Sequence, residues 1–557
     1  MVKTRIVSSL EKPLPGTACE AYPELRELSA LRGERINFQV LFEDTEPAKS
    51  VGRTVKVVTE GIDVPVSVRL VGNVVADMPY FACDTSVGTP GVIQAPGNAY
   101  PDVLLEMDRD ALWRLRPFTV NVLWVECTPD KAGVWPLTVK LVEGDGTVAA
   151  EAVLPLTVVD ASLPEQSLVF TEWFHSDCLA SYYHVPIFSE EHWRIIENYL
   201  RCAVRNGINC LLTPVLTPPL DTEIGSERPA VQLVGITREN GTYSFDFSLL
   251  ERWVDMAHRC GIRYFEISHL FTQWGAEFAP MGVVKDRELG EQHMFGWKVS
   301  GTSGEYPVFL QSFLPALVEE LRKLGILDVC RFHISDEPNA QHLEGYMKAR
   351  NIVAPYLKGC VLMDALSDVA FYQSGAVMTP IPGSDGIEPF LKEDIPERWT
   401  YYCCGQWDKV GNRFIAYPSF RNRILGVQLY KFGMFGFLHW GYNFYYTHGS
   451  RRLIDPYTCQ SGEGWVESGD AFSVYPGSDG QPVESLRLAV FYEAIQDIDA
   501  LKLAERLAGR DAVVRLIDET AGFPVTFSDY PMDASYLLTL RTKVNALIAE
   551  KSGQKEV

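Results

Sequence analysis

Asp336 and Glu337 stand side by side in the segment 331–339, RFHISDEPN, and two carboxylates sharing one place are what acid–base chemistry needs. The apolar residues before them read as a buried strand. In a regular strand neighbouring side chains point to opposite faces, but here the strand is ending and Pro338 constrains its exit, so both carboxylates can turn toward one mouth. Mutual repulsion then raises one pKa and leaves the other group ionised. One acid holds a transferable proton while the other offsets positive charge.

Adjacent residues do not straddle a sugar ring at the roughly 5 to 9 Å used by separated glycosidase carboxylates. The pair therefore calls for a substrate that brings its own nucleophile, such as a 2-acetamido carbonyl that closes onto the anomeric carbon as an oxazolinium ion. In that scheme Asp336 is charged and steadies the amide N–H. Glu337 protonates the leaving oxygen and later activates water, with configuration retained. Three alternatives stand beside it: a glycosidase of different sugar specificity with a separated nucleophile, Asp364 or Asp408; a carbohydrate-binding barrel without turnover; and a plain structural role in which Asp336 caps the helix beginning near Asn339.

Other candidates sit where strands are expected to end. Trp173, His175 and Asp177 lie in TEWFHSD, His269 follows an apolar run, and Tyr402 precedes Gln406. Trp440, Tyr442 and Asn443 lie in GMFGFLHWGYNFYY, of which Phe435, Phe437 and Leu438 read as core. Aromatic faces beside hydrogen-bonding groups suit a sugar, which has apolar C–H faces and polar edges. Neither H-E-x-x-H nor G-x-G-x-x-G nor a phosphate-loop lysine occurs, so neither metal nor cofactor is expected.

The elements that must hold these residues fall into two grammars. Up to about residue 162 short β-branched runs such as RINFQVLF, VPVSVRL and FTVNVLWVE alternate with Gly, Asp and Pro turns, which predicts an antiparallel β-sandwich. From 163 to 508 apolar strands alternate with helices, which predicts a (β/α)8 TIM-type barrel with its catalytic residues at the strand C-termini. Strands are expected to include 376–378 and 400–404, and a helix is expected over 386–393. The link between the fifth and sixth strands is too short for a long helix. Residues 509–557 form a small C-terminal extension with a final helix over 534–548.

Composition narrows the partners. Seventy-two acidic against 50 basic residues give a net charge of -22, a surface that repels phosphate backbones and anionic lipid, so neither nucleic acid nor membrane is expected. The twelve cysteines form no C-x-x-C repeat and several lie in apolar runs, as buried thiols do in a reducing compartment. With no apolar leader at the N-terminus, a cytoplasmic location is expected. The oligomeric state is not legible.

Several segments together resemble glycoside hydrolase family 123: ALRGERINFQV at 30–40, YPDVLL at 100–105 and LWVEC at 123–127 in the first part, then SDEP at 335–338, WTYYCC at 399–404, GFLHWGYN at 436–443, YPGSDGQPVESLRL at 475–488 and AIQDIDAL at 494–501. The resemblance spans nearly the whole chain. It implies a β-sandwich followed by a barrel, and exo-acting retaining removal of β-linked N-acetylgalactosamine from a neutral glycoside or short oligosaccharide. By it Asp336 stabilises the intermediate, Glu337 is the acid/base, and Tyr402 and Trp440 shape the acetamido pocket. Gly405, Gln406 and Trp407 depart from the proline that relatives often carry after YYCC.

Overall fold

The alternating runs of the first 162 residues pair into two five-stranded sheets. One has the spatial order Val2–Ser8, Ile36–Asp44, Val120–Cys127, Val66–Val75, Ala99–Glu106, all antiparallel. The other runs Leu28–Arg32, Val148–Ser162, Gly133–Glu143, Arg53–Glu60, Trp113–Leu115. Phe38, Val40 and Phe42 from the first share one apolar core with Leu137, Val139 and Leu141 from the second. One pairing departs from the antiparallel expectation, because Leu28–Arg32 runs parallel to Val148–Ser162. No hairpin joins these two strands, so nothing forces their directions to oppose. The computed structural model describes residues 2–45, 52–108 and 110–553.

The first sheet is covered on both faces. Val7, Leu41, Val71 and Trp124 on its far side join the large core that continues into the second half of the chain.

There eight short parallel strands follow one another: β1 (Val169–Glu172), β2 (Cys210–Thr213), β3 (Tyr264–Ile267), β4 (Cys330–Phe332), β5 (Val361–Ala365), β6 (Thr379–Ile381), β7 (Trp399–Tyr401) and β8 (Gly436–His439). Their order in the sheet is β6-β5-β4-β3-β2-β1-β8-β7. The barrel is nearly closed. Across the β6/β7 seam a parallel bridge joins Gly383 to Tyr401, with the Tyr401 N–H donating to Pro382 O at 3.1 Å and the Ser384 N–H to Tyr401 O at 2.9 Å. Pro380 and Pro382 have no N–H to extend that ladder, which accounts for the open seam.

Helices cover most strands from outside: Glu190–Arg205 after β1, Ser248–Cys260 after β2, Glu305–Lys323 after β3, Leu343–Val353 after β4, Phe420–Lys431 after β7 and Leu486–Ala508 after β8. Ser189 caps the first of them by accepting the His192 N–H at 3.2 Å. After β5 there is only the single turn Ala370–Gln373. After β6 the helix expected over 386–393 is reduced to a 3-10 turn at Phe390–Lys392, since Pro389 lacks the donor a longer helix needs. The sixth strand also lies just beyond the expected 376–378, and the seventh ends at Tyr401, before the cysteines.

Two hairpins unforeseen in the sequence interrupt the βα links. Gly235–Glu239 with Thr242–Asp246, after β2, and Gly282–Asp286 with Gly290–Phe295, after β3, join into one four-stranded sheet. Beyond residue 509, helices Arg510–Ala521 and Ala534–Gly553 pack on Leu486–Ala508, and the last also lies on strands 148–162 and 28–32 of the N-terminal region.

Candidate active site

β4 ends at Phe332, and the chain then turns under control of its neighbours. Asp364 at the end of β5 accepts the backbone N–H groups of Ile334 (3.0 Å) and Ser335 (3.3 Å) on Oδ1. The Trp274 N–H donates to Asp336 O at 2.9 Å, and the Glu337 N–H to Ala365 O at 3.0 Å. Glu337 itself has φ 42°, the left-handed region that side chains rarely enter. Such strain persists only where the surroundings impose it. It breaks strand alternation at this point, and the charge of Glu337 acts on Asp336.

Asp336 is 6% exposed, and among the described residues no hydrogen bond reaches its carboxylate. Burial, then the charges of Glu337 and Asp221, push it well above the usual carboxylate range. An ion without hydrogen-bond partners is costly away from water. Glu337 is half-buried, and its Oε1 accepts the Tyr401 hydroxyl at 2.8 Å. The capping role suggested for Asp336 falls to Asn339, which accepts the Gln341 N–H at 3.0 Å.

A third carboxylate comes from the β2 loop. Asp221 acts electrostatically on Asp336, and burial followed by the charges around it brings its own pKa to about 7. From β8, Trp440 donates its indole N–H to Asp470 Oδ2 at 2.8 Å. Asp470 also accepts the Cys404 N–H at 3.1 Å and meets His439 Nε2 at 3.2 Å. Loops after β2, β4, β7 and β8 thus converge at the strand C-termini.

Beneath the pair lies a polar layer inside the barrel. Glu266 on β3 accepts from Thr171 (2.6 Å), the Trp173 indole (2.7 Å) and His333 Nε2 (2.6 Å). The other nitrogen of His333 meets Asp364 at 3.3 Å, and Tyr346 donates to the same carboxylate. Burial alone would lower His333, but the hydrogen bonds to Asp364 and Glu266 outweigh it and raise the ring to about 10. It is a buried imidazolium between two carboxylates.

His269 stacks on His333 at 4.3 Å and 23°, fully buried, and neither of its ring nitrogens meets a hydrogen-bond partner among the described residues. Burial and the His333 charge hold it neutral. Ligand atoms of His269, His333 and Asp364 lie within 4.8 Å of one another. A metal sits about 2 Å from each imidazole nitrogen and close to the plane of each ring. Two rings stacked face to face share no such point, and both His333 nitrogens face carboxylates, so the residues do not fit an ion.

The remaining candidates divide by position. His175 and Asp177 lock the β1 loop: Asp177 pairs with Arg228 at 2.6 and 2.8 Å, and His175 meets Trp440 O at 2.9 Å and Arg228 at 3.2 Å. Burial and Arg228 lower His175 to about 4. Asn443 clamps the same loop by exchanging two hydrogen bonds with the His175 backbone, at 2.9 and 3.0 Å. The contacts of all three are internal, so they shape the mouth from behind.

Tyr402 and Tyr442 are corrections to the expected sugar contacts. The Tyr402 ring is buried against Phe437 and His439 with its hydroxyl on Asn422 at 3.2 Å, and Tyr442 donates to Tyr199 O at 2.9 Å. Strand alternation gives the mouth to Tyr401 instead. Trp173 belongs to the polar layer. Sequence reasoning missed Tyr401, Asp221 and Asp470; the adjacency of Tyr401 to Tyr402 was the one available signal. Of the separated nucleophiles, Asp364 is held by four donors and Asp408 accepts the Thr85 hydroxyl.

Among known proteins, the family model described as the glycoside hydrolase 123 catalytic domain matches residues 173–504, more than half of the chain. A family 123 glycoside hydrolase from Clostridium perfringens, studied for glycolipid glycan hydrolysis, is similar over 100% of both chains with a TM-score of 0.75 at 14% identity, a likeness of fold. A family 5 mannosidase from Rhizomucor miehei covers 60% of this chain and 93% of its own, at 10% identity and a TM-score of 0.32. No curated protein matches.

Proposed function

The chain belongs to glycoside hydrolase family 123, and on that premise we propose that it is a retaining exo-glycosidase releasing terminal β-linked N-acetylgalactosamine with the substrate's acetamido oxygen as nucleophile. One observation carries the reading: where the backbone of Glu337 turns left-handed after β4, two consecutive carboxylates lie near enough for the charge of one to act on the other. Such a pair has no room for a sugar between its members, so the nucleophile must come from elsewhere.

The acetamido oxygen attacks the anomeric carbon as the bond to the leaving oxygen breaks. Glu337 supplies the proton to that oxygen from Oε2, since Oε1 faces the Tyr401 hydroxyl. Asp336, ionised, accepts the amide N–H and offsets the charge of the oxazolinium ion. The one proton that the pair holds at rest on Asp336 passes to Glu337 Oε2 before the bond breaks, which loads the acid as it ionises the amide acceptor. Glu337 then takes a proton from water, whose oxygen opens the ring with configuration retained.

The substrate in this reading is a neutral amino-sugar glycoside or short oligosaccharide, handled without cofactor. No described helix is long and apolar enough to cross a membrane. We read the chain as sheets over 1–162, a catalytic barrel over 163–508 and an extension over 509–557.

The test is hydrolysis of aryl β-N-acetylgalactosaminide beside its gluco epimer and the 2-hydroxy counterpart, following the first-formed anomer by NMR. We expect the acetamido galacto sugar to be preferred and the β anomer to appear first. Cleavage of the 2-hydroxy sugar alone would refute the mechanism.

A further inference from the structure

Cys403 and Cys404 follow β7 on the mouth side of the barrel, and of the twelve cysteines they alone are adjacent in sequence. β7 ends at Tyr401, so strand alternation no longer parts neighbouring side chains, and the two thiols stand within hydrogen-bonding reach of each other. Both residues are half-buried, and Gly405 beside them is exposed. The Cys403 thiol is held in place: its Sγ donates to Gln406 Oε1 at 3.3 Å and accepts the Gly405 N–H at 3.5 Å. The Cys404 N–H is fixed on Asp470, which also takes the Trp440 indole. The mechanism above uses neither thiol.

Two common uses of a thiol pair are disfavoured here. A direct disulfide is strained, because adjacent Cα atoms lie about 3.8 Å apart and a disulfide spans about 4.4–6.8 Å. Nucleophilic and peroxide chemistry needs thiolate, which the surroundings oppose. The Cys404 hydrogen bond, then burial and the charges of Cys404, Glu337 and Asp470, push Cys403 well above the ordinary thiol value. On Cys404 the hydrogen bond with Cys403 acts downward, but burial and the charges of Asp470, Glu467 and Glu337 outweigh it and raise the group. What such a pair can do is hold one atom between two neutral thiols.

We propose that Cys403 and Cys404 form a chelating site for trivalent organoarsenicals at the barrel mouth. An arsenous oxide, R–As=O, meets the two S–H groups. Two As–S bonds form, the As=O bond and both S–H bonds break, and both protons leave with the oxygen as water. Arsenic stays trivalent and sulfur is not oxidised, so neither thiolate nor oxidant is needed. The inserted atom also relieves the strain that bars a direct S–S bond. The adduct stands close to Tyr401, whose hydroxyl holds Glu337, and to Asp470, so hydrolysis stops. Capture of the arsenical is independent of the sugar assigned above; the loss of hydrolysis rests on Glu337 as acid/base.

The test treats the whole chain with phenylarsine oxide and reads intact mass under native conditions. We expect one phenylarsenic per chain, kept through a wash with the monothiol 2-mercaptoethanol and removed by 2,3-dimercaptopropanol. Hydrolysis should fall about a hundredfold, the scale of a small misplacement at the chemistry. Cys403→Ser and Cys404→Ser should each lose the monothiol-resistant adduct and keep hydrolysing in the presence of the reagent. Cys360→Ser, at the opposite end of the barrel but close enough to act on Cys330, should behave as wild type. No adduct on wild type, or one that survives both serine changes, overturns the site. An adduct on this pair with hydrolysis untouched overturns its hold on the mouth. A chain that cleaves no acetamido sugar refutes the function proposed above, while the mass measurement still decides the site.

Discussion

At the scale of single residues, the carboxylate pair sets an opposition between stability and use. Burial and like charge hold Asp336 protonated, while the proposed chemistry needs it ionised. Its folded pKa is raised, so the folded state binds the proton more tightly than the unfolded chain. Stability is thus fullest below the ordinary carboxylate range and declines as pH rises toward the folded value. Asp336→Asn removes that decline. We expect its melting temperature to match wild type near pH 4 and to exceed it by a few degrees at pH 7, with hydrolysis abolished; equal melting at both pH values would count against a buried, unpartnered acid. Tyr401→Phe should lower kcat about tenfold with KM little changed, since a hydrogen bond to a charged group is worth about 1.5–3 kcal/mol. A loss confined to KM would move Tyr401 from the acid/base to sugar binding.

At the scale of elements, the barrel mouth is set by the polar layer beneath it. His333 on the extension of β4 meets Glu266 on β3 and Asp364 at the end of β5, so three strands are held by one imidazolium. With a folded pKa near 10, its contribution is complete below the ordinary histidine range and is lost as pH rises through about 10. His333→Gln should cost about 3 kcal/mol at pH 7, and its deficit relative to wild type should shrink as thermal unfolding is followed to pH 10. A deficit constant with pH would mean that the ring is neutral. Much of this frame was legible: the alternation of apolar strands with helices and strands ending near the chemistry follow from local pattern. What was not legible depends on partners distant in sequence. The left-handed turn at Glu337 is imposed by Ala365 and by the fixed Asp364, and the choice of Tyr401 over Tyr402 hangs on where β7 ends. The helix lost after β6 was signalled by Pro389, which periodicity outweighed.

At the scale of the whole molecule, the N-terminal sheets reach the mouth through the loop that follows strand Val66–Val75. Beyond strand Val66–Val75, Asp77 accepts from Ser461 (2.6 Å), the Gln460 N–H and Ser468 (both 3.0 Å) and Cys459 (3.2 Å). Met78 exchanges two further hydrogen bonds with Ser468, at 2.7 and 3.0 Å. The segment thus braced, 459–470, carries Trp465 and Asp470 and through them Trp440. Burial would raise Asp77, but its donors together outweigh that and lower it. A lowered carboxylate contributes fully above the ordinary range and fails only as pH falls through the depressed value, so the brace holds at neutral and mildly acidic pH. Asp77→Ala should therefore speed amide exchange across 459–470 and raise KM for a disaccharide several-fold at pH 5 and at pH 7 alike. Exchange in the β3 and β4 loops, which Asp77 does not touch, should stay as in wild type. Unchanged exchange in 459–470 would mean that the barrel holds this segment alone and that the sheets stand apart from catalysis.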